Sequence, residues 1–367
     1  MKNRIIAFYF VLMLVFGAVL ETMTPDREYS EQEKRNLMQR SDILKNTDRM
    51  GKKFGDNVEE YLTDQFPKRD NIVTIKTMSD IIMGKREAGG VFIGKNNYLI
   101  DTFPEYDKKI FNKNLRNMAE FRKRLAQNKI QCREMLVPAS VEILSDKLPK
   151  YACHISQKKL ISEAGQKVPG VIDITDVLKA HKNEYIYYKS DHHWTSVGAY
   201  YAYVEWKKSL GMKAKPLSSW KKEILCDDFK GTTWNKVSLP GKKYQDEIIG
   251  YYHNKKRRVS YNNDYYVADS IYENSYLKGK DKYGVFFNSN QVLTTIQGGG
   301  KKGKLLLVKD SYANTFAQFV IDDYKEVQMI DMRFFRGNLA SYAISNKFDY
   351  VLVLYGCSGF ATEEKRF

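Results

Sequence analysis

Closely spaced cysteines are missing from this chain of 367 residues, and so are internal repeats. Its four cysteines form no CxxC pair, whereas structural zinc sites usually draw their ligands in close pairs. Zinc binding through cysteine is therefore disfavoured. A disulfide is not needed for stability either, because a chain of this length can bury a full core. The sequence is compatible with free thiols and with disulfides, and three pairings are possible if all four cysteines are bridged. The four are Cys132, Cys153, Cys226 and Cys357.

Acidic residues are also in short supply, with 44 against 60 basic ones and a formal net charge of +16. This balance favours attraction to polyanions, but charge alone fits nucleic acid, an anionic cell-wall polymer and a membrane surface equally. The N-terminus separates them. Lys2 and Arg4 precede an apolar run over residues 5–20, which is typical of a segment that directs a chain out of the cytoplasm. The sequence therefore argues against a nucleic-acid partner.

The apolar run is slightly long for the core of a signal peptide and slightly short for a membrane span. Leu20 stands where a cleavage site needs a small residue. We therefore predict an uncleaved signal anchor over residues 1–23, with the rest of the chain outside the cytoplasm and tethered to the cell membrane. The alternatives are a cleaved signal, which would release a secreted protein, and a buried helix.

Strand and helix patterns alternate through the remaining chain. Residues 24–100 are predicted to form an approach segment that ends in a hairpin at 89–100. Residues 101–367 are predicted to form an α/β domain with a parallel sheet flanked by helices. An insertion at about 213–303 is interpreted as decoration of that sheet. The predicted strands are 135–137, 171–174, 184–188, 305–308, 327–330 and 350–355, and the predicted helices are 107–128, 157–165, 195–210, 312–321 and 338–345.

Two of the chain's five histidines lie side by side behind an aspartate in the run SDHHWT, residues 190–195. Thr195 is a suitable N-cap for the helix that follows, so the run is predicted to link a strand to a helix. Catalytic side chains gather in such loops. Asp191 stands two residues before His193, where it can orient the ring and stabilise its protonated form. A hydrogen-bonded polar loop without catalytic function is the alternative.

A nucleophile for this pair is offered by LLLVKDSYAN, residues 305–314. A buried strand leads into a turn with Asp310 and Ser311, and a helix follows. Free N–H groups at a helix N-terminus favour the negative charge that develops in acyl transfer. Serine and aspartate are also ordinary N-cap residues. Because both runs link a strand to a helix in one sheet, Ser311 can meet His193 despite their separation in sequence.

The runs SDHHWTSVGAYYAY, LLLVKDSYAN and VFIGKNNYLI are similar to those of the DHHW family. That family is related to the bacterial alginate O-acetylation proteins and has an SGNH hydrolase-like, flavodoxin-like fold. The resemblance covers most of the chain after about position 25. It implies that Ser311, His193 and Asp191 form a catalytic triad and that Gly231 is an oxyanion candidate. Lys309 stands where relatives often carry glycine.

The resemblance implies an extracytoplasmic O-acyltransferase, expected to be an O-acetyltransferase, that modifies polysaccharide hydroxyls through an acyl-serine. The acceptor would be an anionic or neutral polysaccharide of the cell envelope, and a multi-span membrane acyltransferase would supply the acyl group. The alternatives are a non-catalytic protein that binds or assembles cell-wall polymer, and a secreted carbohydrate esterase. No cofactor is expected. No metal is expected either, since adjacent histidines on an extended loop point apart.

Four further groups are candidates for contact with substrate. Trp194 and Asn314 lie in the two runs, whereas Arg333 lies at another predicted strand end and could instead form a surface salt bridge. The basic run at 255–258, together with the tyrosines of the insertion, could line a glycan groove, and an exposed solvated loop is the alternative.

Overall fold

The computed structural model describes residues 2–30, 35–43, 54–67, 69–365 and 367. The chain divides into two compact units. One comprises Met1–Lys85 with Asn235–Pro240, and the other comprises Arg86–Trp234 with Gly241–Phe367. All of the predicted site residues belong to the second unit.

The first unit is mainly helical. It contains α1 (Lys2–Met23), a short ladder of β1 (Tyr29–Ser30) and β2 (Arg35–Asn36), and the helices α2 (Phe54–Gln65) and α3 (Arg69–Ile82). Across the described residues, none of the helices has both the length and the apolar character that crossing a membrane requires. The anchor at 1–23 therefore stays a prediction. Part of the approach segment, residues 31–34 and 44–53, lies outside the described residues.

An eight-stranded mixed sheet organises the second unit, in the order β11-β10-β12-β14-β13-β15-β6-β7. Two smaller antiparallel groups, β3-β4-β5 and β8-β9, accompany it. The strands are β3 (Glu87–Ala88), β4 (Val91–Ile93), β5 (Leu99–Asp101), β6 (Gln131–Val137), β7 (Val171–Ile172), β8 (Lys221–Phe229), β9 (Asp246–Tyr252), β10 (Val259–Tyr261), β11 (Tyr266–Ala268), β12 (Leu293–Gln297), β13 (Lys304–Lys309), β14 (Glu326–Asp331) and β15 (Tyr350–Gly356).

Helices cover this sheet and connect its parallel strands. The strands β14, β13, β15, β6 and β7 run parallel, and the apolar runs at 305–308 and 351–354 are fully buried in the centre, as in a sheet covered on both faces. The helices are α4 (Lys108–Gln127), α5 (Ser140–Ile143), α6 (Gln157–Lys167), α7 (Thr175–Ala180), α8 (Ser196–Ser209), α9 (Thr232–Val237), α10 (Ala313–Val320), α11 (Leu339–Ser345) and α12 (Cys357–Thr362). The predicted α/β alternation is confirmed in this half, as is the hairpin of β4 and β5.

The other half of the sheet departs from the prediction. Strands β10, β11 and β12 come from the insertion and pair antiparallel, extending the sheet beyond β14. The prediction of a parallel sheet is wrong for these strands, and so is the interpretation of the insertion as decoration. β10 and β11 have three residues each and are joined by a tight turn. Such short hairpins lack the long strand–helix alternation that reveals parallel strands in a sequence.

The segment 184–188 is not a strand of the sheet, which corrects a second prediction. Only an isolated antiparallel bridge forms there, between Tyr187 and Trp194. The chain turns back on itself between these two residues. Residues 187–194 therefore form a closed turn, called the DHHW turn below. Thr195 does cap the following helix, α8, by accepting a hydrogen bond from the Gly198 N–H.

Candidate active site

Ser311 is held in a turn at the carboxyl end of β13. The carboxylate of Asp310, a half-buried residue, fixes this turn by accepting the Tyr312 N–H at 3.0 Å and the Gly356 N–H, from the end of β15, at 2.7 Å. Burial raises the pKa of Asp310, although these hydrogen bonds act against the rise. The serine is thereby placed between β13 and the start of α10 and is half-buried.

The DHHW turn is held from outside by Asp246, at the start of β9. Its buried carboxylate accepts the Lys189 N–H at 2.9 Å, the Ser190 N–H at 2.8 Å, the Ser190 hydroxyl at 2.5 Å and the Tyr185 hydroxyl. Four donors on one carboxylate fix the backbone just before Asp191. Asp246 was not predicted from the sequence, because nothing in the polar run around it distinguishes this aspartate from an exposed one.

The two turns bring Asp191, His193 and Ser311 into one hydrogen-bonded line. The Ser311 hydroxyl lies 2.7 Å from His193 Nε2, and His193 Nδ1 lies 2.6 Å from Asp191 Oδ1. Since the carboxylate can only accept, His193 carries its proton on Nδ1 and presents a free lone pair on Nε2 to the serine. Asp191 is 1% exposed and His193 is 3% exposed. The geometry is that of a serine nucleophile with a general base.

The electrostatics of this line favour the base form of the histidine. Burial, followed by the charge of His192, lowers the pKa of His193 to about 4, and Asp191 only partly opposes this. Burial alone would raise the pKa of Asp191, but the two histidines and the Thr232 N–H hold it below its ordinary value. At neutral pH the pair is therefore an ionised carboxylate beside a neutral imidazole.

Two tyrosines fix the plane of the His193 ring. Tyr283 stacks on it with centroids 4.0 Å apart and an interplanar angle of 6°, and Tyr312 meets it edge-on at 5.0 Å. The Tyr283 hydroxyl also donates to the Ser311 carbonyl at 3.1 Å, and the Tyr312 hydroxyl donates to the His192 carbonyl at 2.6 Å. Tyr283 comes from the insertion and was missed, because one tyrosine among many carries no positional signal.

This arrangement can be compared with known proteins. Residues 93–330, more than half of the chain, match the sequence profile of the family described as DHHW protein. The chain belongs to the DHHW family. The resemblance read from the three sequence runs is thereby confirmed.

Solved structures share the fold of this family member. A DHHW family protein from Eubacterium siraeum has a TM-score of 0.65 at 22% identity, covering 76% of this chain and 94% of its own. PatB1 of Bacillus cereus has a TM-score of 0.64 at 17% identity, with coverage of 74% and 97%. A second PatB1 structure, with a sulfonyl adduct, has a TM-score of 0.62 at 16% identity, covering 74% of this chain and 98% of its own. Among curated proteins, no significant match to the chain was found.

Gly231 does not serve as the predicted oxyanion donor. Its N–H donates to the Ser190 hydroxyl at 3.1 Å, so it is already engaged. A Cβ at this position would lie 2.2 Å from the Asp191 Cβ, and only glycine therefore permits this close approach. The approach lets Thr232 donate its N–H at 2.8 Å and its hydroxyl at 3.0 Å to Asp191 Oδ2. The Ser311 N–H, in contrast, has no acceptor within the described part of the chain.

The three candidates for substrate contact have different environments. Trp194 is fully buried and its indole N–H donates to the Tyr312 carbonyl at 2.9 Å, so the prediction that it binds substrate is wrong. Asn314 is buried and accepts a hydrogen bond from Lys309. Arg333 donates to both carboxylate oxygens of Asp331, at 2.9 and 2.5 Å, which is the salt bridge given as its alternative. Its side chain is still 42% exposed and can contact a ligand.

His192, the other histidine of the turn, is linked to the Asp191 carboxylate through Thr232. His192 Nδ1 lies 2.6 Å from the Thr232 hydroxyl, whose own proton goes to Asp191. Ligand atoms of Asp191, His192 and His193 lie within 4.8 Å of one another and could hold a metal ion. However, both ring nitrogens of His193 already take part in hydrogen bonds, Nδ1 with Asp191 and Nε2 with Ser311. A metal ion would have to displace those bonds, so the donor set fits acyl transfer better.

The basic run at 255–258 lies away from Ser311. Together with Asp322 it lines an open cavity of about 1330 Å³. α10 starts beside Ser311, whereas Asp322 follows the opposite end of this helix. Lys255 pairs with Glu223 at 2.8 Å, and Arg257 pairs with Asp322 at 2.6 Å. The run is thus part of an ion-paired surface at the opposite end of α10 from Ser311.

Replacing Asp246 tests the hydrogen bonds that hold the DHHW turn. We expect Asp246→Ala to lower the free energy of unfolding by about 3 kcal/mol or more, because each buried donor left without an acceptor costs about 1–3 kcal/mol. Urea denaturation measures this. The control Asp176→Ala removes an exposed carboxylate paired with Lys158 and should cost less than about 1 kcal/mol. Equal losses in the two variants would contradict the assigned role.

The low pKa of His193 can be measured directly by NMR titration of the imidazole carbons. We expect the ring to take up a proton only near pH 4, well below the ordinary value of about 6.5. His192→Gln removes a neighbouring positive charge and should raise the His193 pKa. The control His253→Gln, at the Asp322 surface, should leave it unchanged. Titration of His193 near its ordinary value would show that the assigned burial is wrong.

Proposed function

We propose that this protein is an extracytoplasmic O-acyltransferase, most specifically an O-acetyltransferase, that uses Ser311 as nucleophile and polysaccharide hydroxyls as acceptors. The observation that carries the proposal is the continuous hydrogen-bonded line from Asp191 through His193 to Ser311. A neutral buried imidazole aimed at a serine hydroxyl is what an acyl-transfer base requires.

The first half of the reaction loads the serine. Ser311 Oγ attacks the acyl carbonyl carbon while its proton moves to His193 Nε2. The carbonyl oxygen becomes an oxyanion and accepts the unengaged Ser311 N–H at the start of the turn. When the tetrahedral species collapses, the donor's leaving group departs with the proton from His193. Ser311 is left as an acyl ester, and Asp191 has stabilised the transient imidazolium throughout.

The second half transfers the acyl group. An acceptor hydroxyl gives its proton to His193 Nε2, and its oxygen attacks the acyl carbon. Collapse of this second tetrahedral species breaks the bond to Ser311 Oγ, which regains the proton from His193. A sugar hydroxyl as acceptor gives a transferase. Water as acceptor gives an esterase, the second candidate, and Ser311 is only half-buried, so water can reach it.

Membership of the DHHW family supports this reading through the relation of that family to alginate O-acetylation proteins. The formal charge of +16 suits an anionic polysaccharide of the cell envelope. The acyl donor would be presented outside the cytoplasm by a multi-span membrane acyltransferase, and the N-terminal segment would tether this protein to the same membrane. The fold is shared with a PatB1 structure that carries a sulfonyl adduct. Sulfonyl reagents attach to activated nucleophiles, so they also suit this chain as probes.

Mass spectrometry can test the nucleophile. Incubation with an aryl acetate or a sulfonyl fluoride should leave one acyl or sulfonyl group on Ser311, and Ser311→Ala should abolish the adduct. Asp191→Asn should slow its formation by about 10⁴-fold, because the imidazole loses its correct tautomer. The control Ser218→Ala removes an exposed serine and should change nothing. An adduct that persists in Ser311→Ala would overturn the proposal. Release of acetate to water and to an added polysaccharide then separates esterase from transferase.

A further inference from the structure

A lysine is buried directly behind the nucleophile turn. Lys309 is the last residue of β13, and its side chain is 1% exposed. Its Nζ lies 3.0 Å from Asn290 Oδ1 and 2.8 Å from Asn314 Oδ1, with an Asp331 carboxylate oxygen at 3.9 Å. A buried ammonium is costly unless oxygens surround it, and here three of them do. The triad chemistry gives this lysine no function.

The ammonium determines how both amides are oriented. Because it has protons to donate and no lone pair to accept with, each asparagine must present its oxygen to Lys309 and direct its NH₂ group away. Neither NH₂ group has an acceptor among the residues that the structure describes. Asn314 is buried, with 1% of its surface exposed, whereas Asn290 is half-buried like Ser311. Of the two NH₂ groups, that of Asn290 is therefore the more accessible to a bound molecule.

The segment that carries Asn290 already frames the site. It begins with Tyr283, which stacks on His193 and donates to the Ser311 carbonyl. The three residues before Asn290 all have positive φ, with values of 53°, 54° and 63° for Phe287, Asn288 and Ser289. A left-handed backbone over several residues is unfavourable for residues other than glycine or asparagine, and it persists only where the surrounding structure enforces it. Backbone hydrogen bonds to Ile271 and Gly284 do so here.

We propose that Asn290 is the second donor of the oxyanion site and that Lys309 is the positioning residue that aims it. The proposal rests on the proposed function of Ser311. When Ser311 Oγ adds to the acyl carbon, the carbonyl oxygen takes the electron pair of its π bond and accepts two hydrogen bonds, from the Ser311 N–H and the Asn290 Nδ2–H. The Lys309 charge lies one hydrogen bond behind. This assignment fills the place that Gly231 leaves open.

Kinetics of aryl acetate cleavage test the proposal. Asn290→Asp keeps an oxygen on Lys309 but replaces the donor by a carboxylate oxygen, so we expect kcat to fall about 10²–10³-fold with little change in KM. Asn314→Asp also keeps an oxygen on Lys309 and should cost at least tenfold less. Asn263→Asp, in an exposed turn of similar left-handed backbone, is the matched control and should have no effect. Equal rates for Asn290→Asp and the wild type would overturn the proposal, as would an equal loss in Asn314→Asp.

Lys309→Met gives a readout that a purely structural role would not change. Burial lowers the pKa of Lys309 to about 8, helped by Arg333 and opposed by Asp331 and Asp310. The ammonium is therefore present below pH 8 and is lost as the pH rises through that value. We expect the wild-type kcat to decline above about pH 8 and Lys309→Met to have a lower kcat without that decline. A Lys309→Met protein that keeps the alkaline decline, or equals the wild type, contradicts the proposal.

The same assay separates the two proposals. If the wild type never acylates Ser311, the proposed function fails and the oxyanion assignment falls with it. If the wild type acylates Ser311 and Asn290→Asp does so equally fast, only the oxyanion assignment fails. Should Lys309→Met not fold, as judged by urea denaturation, the Asn290→Asp comparison still decides.

Discussion

The buried hydrogen bond between the Asp191 carboxylate and the His193 ring is the interaction on which the site depends. An ionised carboxylate can stay buried only if enough donors surround it, and the protein supplies them from the ring, from Thr232 and from the backbone of the turn. The same burial keeps the imidazole neutral. The buried Asp191–His193 pair therefore sets the tautomer, the orientation and the charge state of the His193 ring.

The parallel half of the large sheet and the insertion contribute different parts of the site. The parallel half holds Ser311 rigidly, because the strand before it is buried on both sides and Asp310 ties the turn to β15. The insertion contributes groups that surround Asp191, His193 and Ser311. Asp246 holds the DHHW turn, Thr232 satisfies Asp191, and Tyr283 covers the ring of His193. A nucleophile on a regular scaffold is thus completed by residues from irregular segments.

This division explains what the sequence could predict. Central parallel strands read as continuous apolar runs, so β13, β14 and β15 and the turn with Ser311 were predicted correctly. The DHHW run was found because three chemically distinctive residues stand together. Asp246, Tyr283 and Asn290 were missed because their hydrogen-bond partners lie 19 to 61 residues away, and no local pattern marks them. Trp194 and Gly231 were misassigned for a related reason, since burial and an occupied N–H are properties of the tertiary structure.

The position of β15 has a consequence for how the site forms during folding. This strand is the latest of the eight in chain order, yet it lies between β13 and β6, and its end supplies the Gly356 N–H that fixes Asp310. β6 and β13 therefore cannot join into one sheet until β15 has inserted between them, a long-range event that is intrinsically slow. Until β15 is in place, the turn that carries Ser311 lacks the Gly356 N–H that holds Asp310. Because β15 is the last strand of the chain, the Ser311 turn can take its final geometry only when nearly the whole chain is available.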